Sequence, residues 1–444
     1  MNLSLFSLVF IINSFYYFVK LHVYKIITFL LISTLLNSLS FNINSFNFKI
    51  EYFLYFFLFI SFIARSIFFN KKLYFTYDYT ILLIIYLFFS YPIIKLLYPD
   101  LLVWPVGNSA LSTNISDNKE HLIELRQSYT FFKQIFFILA PLFFFYFVKS
   151  LNVEKIQNSL RVYINAIIFI CVLNLLIFLF ITLFNNLEIF DNLINFLNLG
   201  NYRYTSFQSN FIRISLFMGE PSFASILIIP IIIYYLANIL SQRINMNLKN
   251  ILILFILLSN IILMASSSAL ISLFLCFLML IICNFKSKKL IIFLSIFLFI
   301  LTIFLLSNQV LIANFFAKFD LENKFSSIYS RLWSIEHSFG LLLQSPLLGT
   351  SMGTSVATSG LVVFITSVGL IGLYIFIRIS NLNIVIKYLY KKKQNRDLFV
   401  LSNFIISILI CNILAGDITT FITPIYFLLI IIFKYKFQKN DLSR

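Results

Sequence analysis

Roughly thirteen stretches of Ile, Leu, Phe and Val succeed one another along this chain, each close to the length that crosses a bilayer. They lie at about 3–19, 26–46, 52–69, 79–98, 131–148, 162–184, 223–240, 249–264, 268–284, 289–306, 361–378, 398–415 and 419–433. In hydrocarbon each backbone amide needs a partner within the protein, so such a series folds as helices. Of 444 residues, 61% are hydrophobic and 11% charged, with a mean hydropathy of +0.97. That leaves too little polar surface for a soluble domain. The sequence predicts an all-α polytopic membrane protein of about 12–13 transmembrane helices, with residues 1–444 forming a single integral membrane domain. The first run, from Leu3 to Val19, has no basic leader before it and no small-residue cleavage pattern after it, so it reads as a membrane helix.

Basic residues set the expected orientation. Lys20 and Lys25, then Arg65, Lys71 and Lys72, then Lys149, Lys155 and Arg161 fall in alternate loops. Arg243 and Lys249, the lysines at 286–289, the group from Arg378 to Arg396, and Lys434 to Arg444 continue the series. That side is expected to be cytoplasmic, C-terminus included, and the net charge of +17 is mostly a topology signal. Nothing in it forms a compact patch for nucleic acid. Three long outer loops remain, at about 99–130, 185–222 and 307–360, and loops of this length carry function more often than not.

The four cysteines lie inside apolar runs and the three histidines are scattered, so no metal-ligand spacing exists. Walker, dinucleotide and HExxH motifs are missing too. The outer loops hold the candidates. Gly219-Glu220-Pro221-Ser222 opens the run from Phe223 to Leu240. Proline fits the first helical turn and keeps the preceding residue out of the helix, so Glu220 is expected just outside the start, beside free N–H groups. The carboxylate reads as either a helix cap or a site residue, with Ser222 close by. Upstream lie Arg203 and Arg213; helical spacing of Phe207 and Phe211 would dip them into the interface and bring Arg213 near Glu220. Arg213 also reads as an anchor for lipid phosphates. The first loop offers Arg126.

The third loop is the most patterned, with Arg331-Leu332-Trp333, Glu336-His337, Ser345-Pro346-Leu347-Leu348-Gly349 and Gly369-Leu370-Ile371-Gly372. Arg331, Ile335 and Ser338 share a helix face, from which Glu336 and His337 diverge unless the helix is broken. Ser-Pro and the glycines are expected to end that helix in a loop whose backbone can approach a ligand closely. His337 has a suitable proton affinity for a base, although a single histidine is often structural. Between the runs at 249–264 and 268–284, Ser266-Ser267-Ser268 is expected to close a tight helical hairpin.

Taken in order, Gly219-Glu220-Pro221-Ser222, the serine hairpin, Arg331-x-Trp333, Ser345-Pro346-Leu347-Leu348-Gly349 and Gly369-Leu370-Ile371-Gly372 resemble the O-antigen polymerase (Wzy-type) family. That family is related in plan to the O-antigen ligases. The chain departs from it in one respect: where some members place glycine eleven positions after an arginine, Ile214, Ala224 and Leu342 stand here. The resemblance implies a GT-C-like membrane fold whose periplasmic loops carry the site, in the bacterial inner membrane. It implies a glycosyltransferase of polysaccharide and lipopolysaccharide biosynthesis that extends oligosaccharides linked to undecaprenyl pyrophosphate. It further implies the bilayer, a flippase and a chain-length regulator as partners, and no cofactor. In that scheme Arg203, Arg213 and Arg331 hold the pyrophosphate, with Arg126 and Ser222 as further candidates, and Glu220 or His337 takes the proton. An O-antigen ligase-like transferase is the near alternative. A lipid-linked oligosaccharide flippase is the alternative of another class, and it would be expected to place charges or broken helices near the bilayer midplane.

Overall fold

The computed structural model describes residues 5–35, 40–43, 46–69, 78–103, 123–125, 129–184, 205–208, 211–214, 221–242, 247–264, 266–284, 327–352, 359–391, 395–414 and 423–441. Among them the helices are α1 (Leu5–Val19), α2 (Val23–Leu35), α3 (Ile50–Phe69), α4 (Tyr79–Leu97), α5 (Tyr129–Val148), α6 (Val153–Phe184) and α7 (Pro221–Leu240). They continue as α8 (Leu248–Leu263), α9 (Ser267–Cys283), α10 (Ser327–Gln344), α11 (Gly360–Ser380), α12 (Leu382–Leu389), α13 (Arg396–Leu414) and α14 (Pro424–Asp441). Among the described residues four stretches are long and apolar enough to cross a membrane: Tyr79–Leu97, Val153–Phe180, Gly360–Ser380 and Arg396–Ile413. Shorter apolar helices accompany them. Large apolar residues such as Phe15, Phe89, Leu96, Phe169 and Phe274 face outward, while Asn174, Asn260, Ser402 and Asn412 are buried. A surface of that kind suits lipid and not water. This is the architecture of an all-α membrane protein. The expected run at 289–306 lies outside the described residues.

Two local expectations are corrected. The run at 26–46 is not one helix: α2 ends at Leu35 and the chain turns into an antiparallel ribbon of β1 (Ser40–Ile43) and β2 (Phe46–Lys49). Ser-Phe-Asn-Ile and Phe-Asn-Phe-Lys alternate polar and apolar positions, and Phe41 pairs with Phe48, Asn42 with Asn47. A period of two in both strands is a signal that mean hydropathy hides. Likewise β5 (Thr205–Gln208) and β6 (Phe211–Ile214) pair as an antiparallel ribbon and are not helical. Phe207 lies opposite Ile212 and Phe211 opposite Gln208, so the two phenylalanine positions fall on different faces.

α13 is the hub of the C-terminal half. Its principal neighbour is α7, and it also packs on α9, α11, α12 and α14. Tyr234 of α7 meets Phe404 of α13 with ring centroids 5.3 Å apart. Ser359, the N-cap of α11, accepts from Val362 N–H and donates to the Asn412 carbonyl at 3.1 Å, which ties α11 to α13. On the other side of the molecule α2 packs on α3 and α6, and α6 on α8. The α6–α8 seam holds a buried amide pair: Asn174 Nδ2 donates to Asn260 Oδ1 at 3.1 Å, and Asn260 Nδ2 donates to the Cys171 carbonyl at 2.9 Å. Interhelical amides of this sort fix the register of apolar helices. The turn at 264–266 does separate α8 from α9, but the two scarcely touch beyond it; each packs on α7 instead. Ser266 stands at the N-cap position of α9 without a side-chain cap bond, and its hydroxyl lies 3.0 Å from that of Ser268.

Candidate functional site

α10 forms from a stretch without proline or glycine until Gly340, and Ser345-Pro346 ends it. Its polarity is inverted relative to a water-soluble helix. Ser334, Ser338 and Leu341 are buried at helical spacing, while Leu332, Phe339 and Leu343 are exposed, Leu343 by 78%. The buried stripe packs on α11, where Thr366 Oγ1 donates to the Ser338 carbonyl at 3.3 Å.

Past α10 the chain does not form a free loop. Ser345, Gly349, Thr350, Ser351 and Met352 are buried against the middle of α11. There α11 is broken: Gly369 has φ 62° and ψ −167°. Gly349, at φ 75°, lies back to back with it. A Cβ on Gly369 would stand 2.4 Å from Gly349 N and 2.5 Å from the Leu347 carbonyl oxygen, and one on Gly349 would stand 2.5 Å from Gly369 N. The break frees backbone groups that hydrocarbon would not solvate, and the inserted segment answers them. Leu370 N–H donates to Pro346 O at 3.0 Å and Ile371 N–H to Leu347 O at 3.1 Å. In the other direction Thr350 N–H donates to Thr366 O at 2.9 Å and Ser351 N–H to Ser367 O at 3.1 Å. The hydroxyl of Tyr86, on α4, stands 2.7 Å from both the Leu348 and Val368 carbonyl oxygens and locks the joint. The hydroxyls of Ser345 and Ser367 are buried with no hydrogen-bond partner among the described residues.

The segment between α4 and α5 reaches the same place. Its ribbon, β3 (Leu102–Val103) with β4 (Ile123–Glu124), puts Leu101, Val103 and Leu125 on Ile94 of α4, and Leu348 packs against that cluster. Arg126 follows Leu125 directly but lies outside the described residues, as do Arg203 and Glu220. α7 begins at Pro221, so the expected helix start is where the proline argument places it, with Ser222 as its second residue. Arg213 occupies β6 opposite Ser206, and β6 packs on α8, a neighbour of α7. Arg331 is in the second turn of α10.

His337 is placed with its surroundings. Its ring stacks on Trp333, one turn earlier, with centroids 3.7 Å apart and planes 26° from parallel. Nδ1 is 3.0 Å from the Trp333 carbonyl oxygen. A carbonyl only accepts, so this bond selects the Nδ1–H tautomer and puts the basic lone pair of the neutral ring on Nε2. α10 is unbroken between Arg331 and His337. Six residues turn those positions roughly 120° apart and rise about 9 Å, so the helix alone does not aim both at one atom. Glu336 is exposed.

Tyr86 and the Gly349–Gly369 contact escape sequence reasoning, although a tyrosine within an apolar span is a usable signal of an internal hydroxyl partner. Chemically the arrangement offers a histidine with a fixed tautomer on the same helix as Arg331, joined to a broken span with two buried hydroxyls that have no partner among the described residues. No protein-family model, curated protein or solved structure matches the chain.

Proposed function

We propose that the chain is an oligosaccharide repeat-unit polymerase of the multi-spanning, GT-C-like kind, acting at the periplasmic face of a bacterial inner membrane. The Trp333–His337 pair carries the reading, because a stacked imidazole with Nδ1 engaged by a carbonyl has a defined Nε2 for a proton. In the proposed step a sugar hydroxyl of the next lipid-linked unit attacks the anomeric carbon of the growing glycan. The new C–O bond forms as the bond to undecaprenyl pyrophosphate breaks, and its electron pair leaves with the pyrophosphate. The hydroxyl proton passes to His337 or Glu220. Arg331, with Arg203 and Arg213, neutralises the leaving group without needing a metal. The role proposed for Glu220 is supported by the start of α7 at Pro221, where the proline argument expects it.

An O-antigen ligase-like transferase uses the same donor and groups and differs in its acceptor. A flippase is a second reading with an observation of its own. The break at Gly369 stands near the middle of the 21-residue α11, with the partnerless Ser345 and Ser367 hydroxyls beside it. Broken spans of that kind occur in transporters. Deletion in the native strain followed by a gel of surface glycan separates polymerase from the rest: capped single repeats support polymerisation, and loss of all capped glycan points to ligase or flippase. Elongation of purified lipid-linked units in detergent, where sidedness is lost, then distinguishes an enzyme from a flippase.

A further inference from the structure

Asp78 precedes α4 and caps it: Oδ1 accepts from Thr80 N–H at 2.9 Å and from Ile81 N–H at 3.4 Å. Its Oδ2 pairs with Lys149 Nζ at 2.5 Å, just past the end of α5. The Lys149 ammonium also lies 4.1 Å above the Tyr146 ring. Both carboxylate oxygens are therefore engaged. A second ammonium enters the same space from α14. Lys434 Nζ sits 5.4 Å over the Phe145 ring, and Phe145 and Lys149 are four residues apart on one side of the α5 end. Asp78 and Lys149 are both close enough to act on its charge. Lys434 is half-buried and has no hydrogen-bond acceptor among the described residues.

Two ammoniums thus share one carboxylate that is already spent on the first of them. A partly desolvated ammonium with three donors and no acceptor is costly, and an anion would relieve it. Arg378, in the last turn of α11, adds a third cation at this level: its guanidinium lies 5.2 Å over the Tyr79 ring, next to Asp78. The position selects the anion. From Ile425 to Phe433 α14 is apolar and buried, and Lys434 is the first charge after that stretch, the pattern of a helix end that meets a membrane boundary.

We propose that the Lys149–Lys434 cluster is a binding site for the phosphate of an anionic phospholipid headgroup, with Arg378 at its rim. Basic pockets between helix ends at the membrane boundary are suited to such headgroups. The site is separate from α10 and does not depend on the polymerase reading.

The test is a titration of the purified full-length protein in detergent, read by native mass spectrometry, with phosphatidylglycerol, phosphatidylcholine and inorganic phosphate as separate arms. Wild type should retain phosphatidylglycerol in preference to phosphatidylcholine. Lys434→Gln should weaken phosphatidylglycerol about fivefold, and Lys434→Arg should restore it. Lys439→Gln removes an equal charge from an exposed position on the same helix and should leave binding unchanged. An equal loss in Lys434→Gln and Lys439→Gln would mean a diffuse surface potential and overturn the site. So would no preference for phosphatidylglycerol, and a response to inorganic phosphate without a lipid increment would overturn the lipid source.

Discussion

Replacing Gly369 by alanine puts the joint between α10 and α11 under direct test. At φ 62° and ψ −167°, a region essentially reserved for glycine, a side chain costs about 1–3 kcal/mol before any contact is counted. The new Cβ would also overlap Gly349 N at 2.4 Å and Leu347 O at 2.5 Å, both backbone atoms that cannot swing aside. Relief requires the 346–351 segment to lift, which strains the four backbone bonds it makes to residues 366–371, each worth about 0.5–1.5 kcal/mol net. Allowing for partial relaxation, the loss is about 3 kcal/mol or more. Equilibrium unfolding of purified protein in mixed micelles measures it, with Gly340→Ala as the control. Gly340 has nothing within 4 Å of an added Cβ and sits inside α10, so that change should be neutral or gain about 0.5–1 kcal/mol. Gly349→Ala should resemble Gly369→Ala, and the double variant should cost less than the sum, because both break one joint. Indistinguishable unfolding of Gly369→Ala and Gly340→Ala would refute the packing argument.

Tyr86→Phe removes the hydroxyl shared by the Leu348 and Val368 carbonyls and should cost about 1–3 kcal/mol in the same assay. His337→Phe keeps a ring on Trp333 and deletes the proton acceptor; elongation by folded enzyme should fall by roughly a hundredfold or more, and near-normal turnover would move the base assignment to Glu220. Glu220→Gln serves as the reciprocal variant. Arg331→Lys should lose most elongation at normal expression, since lysine lacks the planar fork; full activity with lysine would reduce Arg331 to a diffuse charge. Burial opposes ionisation of Asp78, but Lys149 and the Thr80 amide outweigh it and hold the carboxyl below its ordinary range. Its contribution to stability is therefore whole above about pH 4 and lost as pH falls through the depressed folded value. Asp78→Asn should flatten the acid side of a stability-against-pH profile.

The apolar runs and the start of α7 were legible because each is a local property of a single stretch. Hydropathy marks α4, α11 and α13 to within two residues, and Pro221 marks a first helical turn. The strands at 40–43 and 46–49 were missed because Phe and Ile alternating with Ser, Asn and Lys hide in the mean hydropathy of the run around them, and those at 205–208 and 211–214 because Thr-Ser-Phe-Gln and Phe-Ile-Arg-Ile show no clean period of two. The glycines at 349 and 369 announce unusual backbone, but nothing in either segment says that one lies on the other. Contacts across 20 residues, or the 262 that separate Tyr86 from Leu348, are fixed by packing and not by local pattern. At the site the i, i+4 relation of Trp333 and His337 could be read from spacing, and their stacking is its result. Convergence of Arg331, Arg213 and Glu220 is a tertiary matter that spacing does not address.

The place of α13 in the sequence has a consequence for synthesis. Among the described helices α7 packs more extensively on α13 than on α6 or α8, yet roughly 150 residues separate Leu240 from Arg396. At about 5–20 residues per second a ribosome needs roughly eight to thirty seconds to make that interval. Throughout it Tyr234 of α7 has to wait without Phe404 of α13, the ring it meets in the finished protein. A nascent chain stalled before Arg396 would be a target for membrane proteolysis, and one stalled after Leu414 would not.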